Sequence, residues 1–213
     1  MMRLHGYWRS TASYRVRIAL NLKGVADEHV SHDLRLAAQR DPDYLALQPQ
    51  GLVPMLESSE GTMIQSPAIL EWVEETFPDP PLLPEGRGDR AMVRAMAAII
   101  GCDVHPLNNL RVLNSLRHDC GMDQAAVNAW IARWIVAGFG ALEPLIQQHG
   151  GAFAFGDSPT MADVYIVPQV YSAERFGVGL SPFPRLIAAA AAARALPAFA
   201  AADPAAQPDA DPS

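Results

Sequence analysis

The sequence predicts an α/β domain over residues 1–84 followed by an all-helical domain over residues 85–202, on three observations. The first 84 residues alternate strand-like and helix-like patterns in the order βαβαββα. The run PDPPLLPEGRG, residues 78–88, can continue neither element and reads as an interdomain linker. Beyond it the apolar spacing is helical.

The elements follow in order. Arg3 to Trp8 is extended, Ser13 to Lys23 helical with Gly24 as the residue that ends it, Glu28 to Leu34 extended, and Ala38 to Ala46 a short helix. Val53–Glu57 and Thr62–Ile64 are short strands separated by the turn-forming SSEG. From Ser66 to Phe77, Ile69, Trp72, Val73 and Phe77 keep helical spacing while Glu71, Glu74 and Glu75 take the solvent side, and Pro78 stops the helix. In the second domain long helices are expected over Asp89–Arg117 and Asp123–His149, the first bent near His105 by Pro106, and a third opens at Thr160. Thr160 and Asp163 form a capping box, a structural device. Trp130 and Trp134 repeat at helical spacing and read as core, and residues 203–213 read as a disordered tail.

The chain has 213 residues and a net charge of -7, with no segment that concentrates Lys and Arg, which excludes a nucleic-acid partner. No targeting segment or membrane span is expected, since MMRLHGYWRS lacks an apolar core and Leu186–Ala202 is interrupted by Arg194 and Pro197. Cys102 and Cys120 have no zinc-ligand or CxxC spacing, so no metal is expected; both read as reduced, buried residues of a cytoplasmic protein.

The segment RSTASYRVRIAL, residues 9–20, joins the first strand to the first helix and presents Arg9, Ser10, Thr11 and Ser13. The first amides of a helix lack intrahelical acceptors and carry partial positive charge, so a thiolate, carboxylate or phosphate fits opposite them. Position 12, where a cysteine could supply sulfur, is Ala. The turn therefore suits a thiolate that arrives on a cofactor. Two further segments complete a cradle for a tripeptide. In QGLVPML, residues 50–56, Val53 before Pro54 is a candidate cis peptide whose backbone can pair with an extended ligand. In QSPAILEW, residues 65–72, Ser66 as N-cap and Pro67 at the first helical position make a carboxylate receptor, with Gln65 adding a polar contact.

The topology, the VP dipeptide, the QS at a helix start and the all-helical second half resemble the glutathione transferases, a thioredoxin-like domain followed by a helical one. More narrowly, RSTASYRVRIAL, CDVHPLNNLRVL, FGDSPTMAD and VPQVYSAERF are similar to stretches of the zeta class and its bacterial isomerases of maleyl keto acids. The departure is Ala12, where that class often has Cys. The resemblance implies glutathione as cofactor. It carries over Ser10 as the hydroxyl bonded to the sulfur, Thr11, Val53, Pro54, Gln65 and Ser66 as cofactor contacts, Gln48 or Gln50 as another, and His105 with Asn109, four apart on one helical face, as further contacts. Arg9 and Arg175 are implied anchors for the substrate's carboxylate, with Arg111 about 120° around the helix from His105 as a third candidate.

The implied reaction is thiolate addition to the cis double bond of a maleyl keto acid, rotation, and expulsion of the sulfur to leave the trans product. Maleylacetoacetate is the expected substrate, maleylpyruvate the nearest alternative; irreversible conjugation or dehalogenation of an electrophile, and a binding module without activity, are the others. A homodimer is implied. A thiol with a pKa near 8.5 is only about 3% ionised at pH 7, so full deprotonation adds at most roughly 30-fold, about 2 kcal/mol. Orientation and charge stabilisation must supply more, which directs attention to the arginines. Without the resemblance the same residues have plainer roles. Ser10 and Ser13 would cap a helix, Arg9 and Arg175 would pair at the surface, His105 would be a hydrogen-bonded, partly buried ring, and Arg15 and Arg17 would lie on a solvated or subunit-facing side.

Overall fold

A computed structural model describes residues 2–211. Four strands, β1 (Met2–Gly6), β2 (Asp27–Ser31), β3 (Met55–Ser58) and β4 (Gly61–Ile64), form one sheet in the order β2-β1-β3-β4. β1 and β2 are parallel, and the β1–β3 and β3–β4 pairs are antiparallel. The parallel pair requires a crossover, which α1 (Thr11–Leu22) provides; the antiparallel pair closes through a tight turn at Ser58–Gly61. With α2 (Pro42–Leu47) and α3 (Ser66–Thr76), the βαβαββα order stands as the sequence predicts. The helical remainder comprises α4 (Arg87–Ala98), α5 (Leu110–His118), α6 (Gln124–His149), α7 (Met161–Arg175), α8 (Pro184–Arg194) and α9 (Pro197–Ala202).

The chain divides into two compact units. The first runs to Pro81 and takes back everything from Ala195 onward; the second is Leu82–Arg194. The change of unit falls inside the Pro-rich linker, and helical structure continues to Ala202 as expected, but by its packing α9 belongs with the first unit. Arg17 Nε donates to Ala202 O at 3.1 Å and Asn21 Nδ2 to Ala198 O at 2.9 Å, so α9 is bound to α1 by polar side chains. The expected disordered tail is likewise corrected over its described part. Asp209 accepts from Trp8 N at 3.0 Å and Ser31 Oγ at 2.6 Å, and Asp211 takes two bonds from Arg35. Its aspartates, read as solvated, meet donors of β2 and the loops beside it; positions 212 and 213 lie outside the described residues.

In the first unit the core is Leu4, Val16, Ile18, Leu20, Met55, Leu56, Ile69, Leu70 and Val73, the inward stripes of β1, α1, β3 and α3. α1 ends as expected, with Gly24 at φ 65° after Lys23, a left-handed position that glycine adopts without strain. The solvent assignment of Glu74 is corrected. Its carboxylate lies 2.6 Å from Lys23 Nζ, and Lys23 also donates to Pro80 O at 2.7 Å, so a buried ion pair joins the end of α1 to α3 and a hydrogen bond ties it to the second proline of the linker.

In the second unit the expected helix over 89–117 is broken, not merely bent. α4 passes into a π-helical turn over Ile99–Val104 and a 3₁₀ turn over Pro106–Asn108 before α5 starts. Pro106 lacks an amide and crowds the preceding turn, and Gly101 leaves room for Tyr165, whose ring edge would sit 2.9 Å from a Cβ there. α6 is long and apolar enough by length and composition to cross a membrane, and it turns Val127, Ile131, Ile135, Phe139, Leu142 and Ile146 inward within this unit. Trp130 and Trp134 are half-buried and edge-to-face at 5.6 Å rather than core, with Trp130 Nε1 donating to Leu107 O at 2.9 Å. The capping box at α7 is present. Asp163 accepts from Thr160 N and Ala154 N, both at 2.8 Å, and burial still pushes its carboxyl up to about 6. Cys102 and Cys120 are both exposed, against expectation, because they fall on the outer sides of the π turn and of the loop after α5.

Candidate active site

The turn between β1 and α1 is built from backbone outward. Ser10 N donates to Tyr7 O at 2.9 Å, closing the turn, and Ser10 is the N-cap of α1 with φ −70° and ψ 118°. Its Oγ accepts from Ser13 N at 3.2 Å. A hydroxyl has one proton to give and two lone pairs, so capping through a lone pair leaves the O–H free to point at an anion. The plain capping role and the sulfur-binding role are thus compatible in one side chain. Thr11 opens α1, and Ser10 and Thr11 are each partly exposed. Ser13 belongs elsewhere: its side chain is fully buried, so of the four residues the sequence grouped at this turn it alone faces inward. Arg9 lies over the Trp8 ring at 4.8 Å and donates to Tyr7 Oη at 3.4 Å, a guanidinium stacked beside the turn.

The second segment is the loop into β3. Val53–Pro54 is a cis peptide, as is Asp79–Pro80, which the sequence had not suggested. Of the two candidate glutamines, Gln48 is fully buried and braces the loop, donating to Leu52 O at 3.0 Å and accepting from Gln50 N at 2.7 Å. Tyr44 Oη donates to the same Leu52 carbonyl at 2.7 Å. Gln50 is exposed and accepts from Gln65 Nε2 at 2.6 Å, so the structure brings the loop and the third segment together.

That third segment departs from expectation by one residue. Gln65, not Ser66, is the N-cap of α3, and it makes no side-chain cap. Gln65 has φ 70° and ψ 115°, a left-handed value that a non-glycine residue holds only at a cost of about 1–3 kcal/mol. Ser66 is buried, and instead of capping, its Oγ accepts from Arg15 Nη1 at 3.4 Å. Arg15 and Arg17 therefore overturn the solvated reading, with 1% and 5% exposure. Arg17 Nη2 donates to Trp8 O at 2.9 Å, and burial lowers its guanidinium to about 10, still charged at neutral pH against Asp209, Asp203 and Asp27. Neither arginine was legible as a site brace, since the carbonyl and hydroxyl they meet carry no charge pattern.

In the second unit, the break at Pro106 removes the shared helical face assumed for His105 and Asn109, and the 120° relation to Arg111 with it. His105 is partly buried, and Asn109 accepts from Arg111 N at 3.2 Å as the N-cap of α5. Arg111 is exposed on the first turn of α5; Arg175, exposed at the end of α7, lies over the Phe176 ring at 4.4 Å. Among the described residues no group of His, Cys, Asp and Glu could hold a metal ion.

A mixed four-stranded sheet with a crossover helix, extended by a helical unit, defines a protein of the thioredoxin-like kind, with its candidate site at the hydroxyl that starts α1 and the strained residue before α3. Residues 4–81 match the family model for the glutathione S-transferase N-terminal domain, and residues 128–201 that for the C-terminal domain. The chain belongs to the glutathione S-transferase family. Its place there is the zeta class. The chain is 51% identical over 98% of both lengths to maleylacetoacetate isomerase of Pseudomonas aeruginosa. It is 51% identical to a solved bacterial maleylpyruvate isomerase of the zeta class, with a TM-score of 0.96 over 98% of this chain and 100% of that one. A maleylacetoacetate isomerase from Methylobacterium extorquens, solved with malonate and glutathione bound, is 37% identical with a TM-score of 0.95 over 99% and 100% of the two chains.

Proposed function

We propose that the protein is a glutathione-dependent cis-trans isomerase of a maleyl keto acid, with maleylacetoacetate as substrate and fumarylacetoacetate as product. Bound glutathione supplies a thiol nucleophile that adds reversibly to the double bond of the substrate. The single observation that carries this reading is Ser10, whose oxygen is fixed by the Ser13 amide while its proton remains to be donated. Ser10, with the first amides of α1 behind it, favours an anion at the turn. Thr11 flanks it.

The remaining cofactor contacts follow the cradle. The Val53 backbone, ahead of Pro54 at the start of β3, pairs with the extended tripeptide, and the start of α3 receives its carboxylate through Ser66, Gln65 and Gln50. Strain at Gln65 supports a functional role there, because such backbone persists where the surroundings impose it. Arg15 presses on Ser66 from inside, which turns that hydroxyl into a better donor. Arg9 is the substrate-carboxylate anchor nearest the turn, its plane already stacked on Trp8. Arg111 and Arg175 are the corresponding candidates of the second unit, and His105 and Asn109 stand as further cofactor contacts on the resemblance alone. A homodimer in the cytoplasm completes the reading.

The test is parallel turnover of maleylacetoacetate and maleylpyruvate with glutathione present. The expected result is isomerisation of maleylacetoacetate with the greater kcat/KM and no net consumption of glutathione. Preference for maleylpyruvate would shift the substrate within the same chemistry. Loss of glutathione in proportion to product would replace isomerisation by conjugation.

A further inference from the structure

The geometry points to Asp209 as a positioning residue for the catalytic turn: its carboxylate holds the Trp8 amide and so fixes the peptide plane on which Ser10 is hung. The inference rests on the assignment of Ser10 as the group that meets the glutathione sulfur. It concerns a segment that the sequence marks as featureless, lying 201 residues from the turn it touches.

The chain of contacts is short. Asp209 Oδ2 accepts from Trp8 N at 3.0 Å. The carbonyl at the other end of that same peptide, Tyr7 O, accepts from Ser10 N at 2.9 Å. The next peptide is held as well, since Trp8 O accepts from Arg17 Nη2 at 2.9 Å. Both peptide groups that flank Trp8 are therefore tied, one by a carboxylate and one by a guanidinium, and the Ser10 amide closes the turn onto the first of them. A charged acceptor makes a stronger bond to an amide than a neutral one.

Asp209 is itself held. Ser31 Oγ donates to Oδ2 at 2.6 Å from the end of β2, and His29 Nε2 lies 3.2 Å from Oδ1. Burial alone would raise this carboxyl, but the bonds from Ser31 and Trp8 and the nearby His29 hold it below the usual range, so it is ionised when the enzyme works. Arg17 donates its Nε to Ala202 O, which ties the same guanidinium that holds Trp8 to the start of the returning segment. Gln207 Nε2 braces the bend between α9 and Asp209 by donating to Ala201 O and Asp203 O. Asp211, by contrast, meets Arg35 on the exposed side and, among the described residues, no backbone group of the turn, which makes it the control.

Four full-length proteins with glutathione bound decide the matter: Asp209→Ala, Asp209→Asn, Asp211→Ala and Ser10→Ala. The ultraviolet absorbance of the thiolate is titrated against pH, and exchange of the Ser10 amide is followed by NMR. For Asp209→Ala the expected result is a thiolate fraction at neutral pH reduced by about 3- to 10-fold, with faster Ser10 exchange, and with glutathione affinity changed by less than about 2-fold at low pH, where the bound sulfur is a neutral thiol in both proteins, because misplacement acts on the anion rather than on uniform binding. Asp209→Asn restores most of the fraction, its amide oxygen still accepting from Trp8 N. Asp211→Ala leaves the titration unchanged. A wild-type titration in Asp209→Ala alongside a shifted one in Ser10→Ala overturns the positioning role and spares the site. An equal shift in Asp211→Ala overturns it too, in favour of simple docking of the segment. Unshifted titrations in both Ser10→Ala and Asp209→Ala remove the site assignment and this inference together.

Discussion

Replacing Ser10 by Ala removes two things that can be separated by measurement. The first is the cap: the Ser13 amide loses its 3.2 Å acceptor at the start of α1, and N-cap substitutions of this kind cost about 1 kcal/mol of stability. The second is the proton that Ser10 is proposed to donate to the sulfur of bound glutathione. If that donation is what keeps the thiol ionised, the thiolate fraction at pH 7 falls from near complete to about 3%, and turnover falls by up to roughly 30-fold. The true loss is smaller, since a thiolate of higher pKa is also a better nucleophile. The signature is in the pH dependence. Near pH 9.5 a thiol with a pKa of about 8.5 ionises without help, so the gap between Ser10→Ala and the parent should close to within about 2-fold, while the stability loss in urea stays constant. Ser10→Thr retains both a cap and a proton and should keep most of the rate. A Ser10→Ala protein that loses stability but turns over normally at pH 7 would reduce Ser10 to a cap; a rate loss that persists undiminished at high pH would show that the hydroxyl does something other than ionise the thiol.

Two further outcomes follow from the buried polar groups. Lys23→Met removes the ammonium 2.6 Å from the buried Glu74 carboxylate and should cost about 3–5 kcal/mol in urea unfolding, whereas Lys23→Met with Glu74→Leu should recover most of it. Burial depresses His5, and burial with the neighbouring His5 and His29 depresses His32, against the opposing pull of Glu57, Glu28 and Asp41. The unfolded rings take up protons near pH 6.5 that the folded ones refuse, so this contribution is complete above that pH and is lost as pH falls through it. Between about pH 7 and pH 5.5 this loss opposes the gain from Asp163, raised to about 6 in the fold; His5→Gln, which removes the 2.9 Å contact to His32 and the 3.1 Å contact to Glu57, leaves the Asp163 gain in place and should therefore lose less, or gain more, urea midpoint than the parent over that range.

What the sequence made legible was local. The βαβαββα order, the Gly24 terminus, the Thr160–Asp163 box and the hydroxyl turn at Ser10 each depend on residues within a few positions of one another, and each stands. The misses share a cause. The sequence places Arg15 and Arg17 on a solvated or subunit-facing side, Glu74 in solvent and Asp209 in a disordered tail because a charged side chain is buried only when a partner awaits it, and the partners are distant in the chain: Ser66 for Arg15, Ala202 for Arg17, Lys23 for Glu74, Trp8 for Asp209. Periodicity carries no information about a contact 185 residues away. The break at Pro106 was legible as a bend but not as an end, since the depth of a proline kink depends on what packs against it, here Tyr165 at Gly101.

The two buried arginines of α1 explain why a candidate site spread over three segments can act as one. Residues two apart on a helix point to opposite sides of it, so Arg15 and Arg17 diverge. Arg15 reaches the start of α3 and holds the Ser66 hydroxyl; Arg17 reaches back and holds the Trp8 carbonyl two residues before Ser10. The start of α3 and the turn at Ser10, the two ends of the proposed cradle, are thereby referred to a single rigid helix whose own N-terminus is the turn in question. A shorter or weaker pair would not serve. Lysine in place of Arg17 has one ammonium where the guanidinium now meets two carbonyls along different directions, Ala202 O through Nε and Trp8 O through Nη2. Burial at a cost is tolerated here because the charge is matched by the Asp209, Asp203 and Asp27 carboxylates around it, and because its two bonds fix backbone groups of α9 and of the turn before α1.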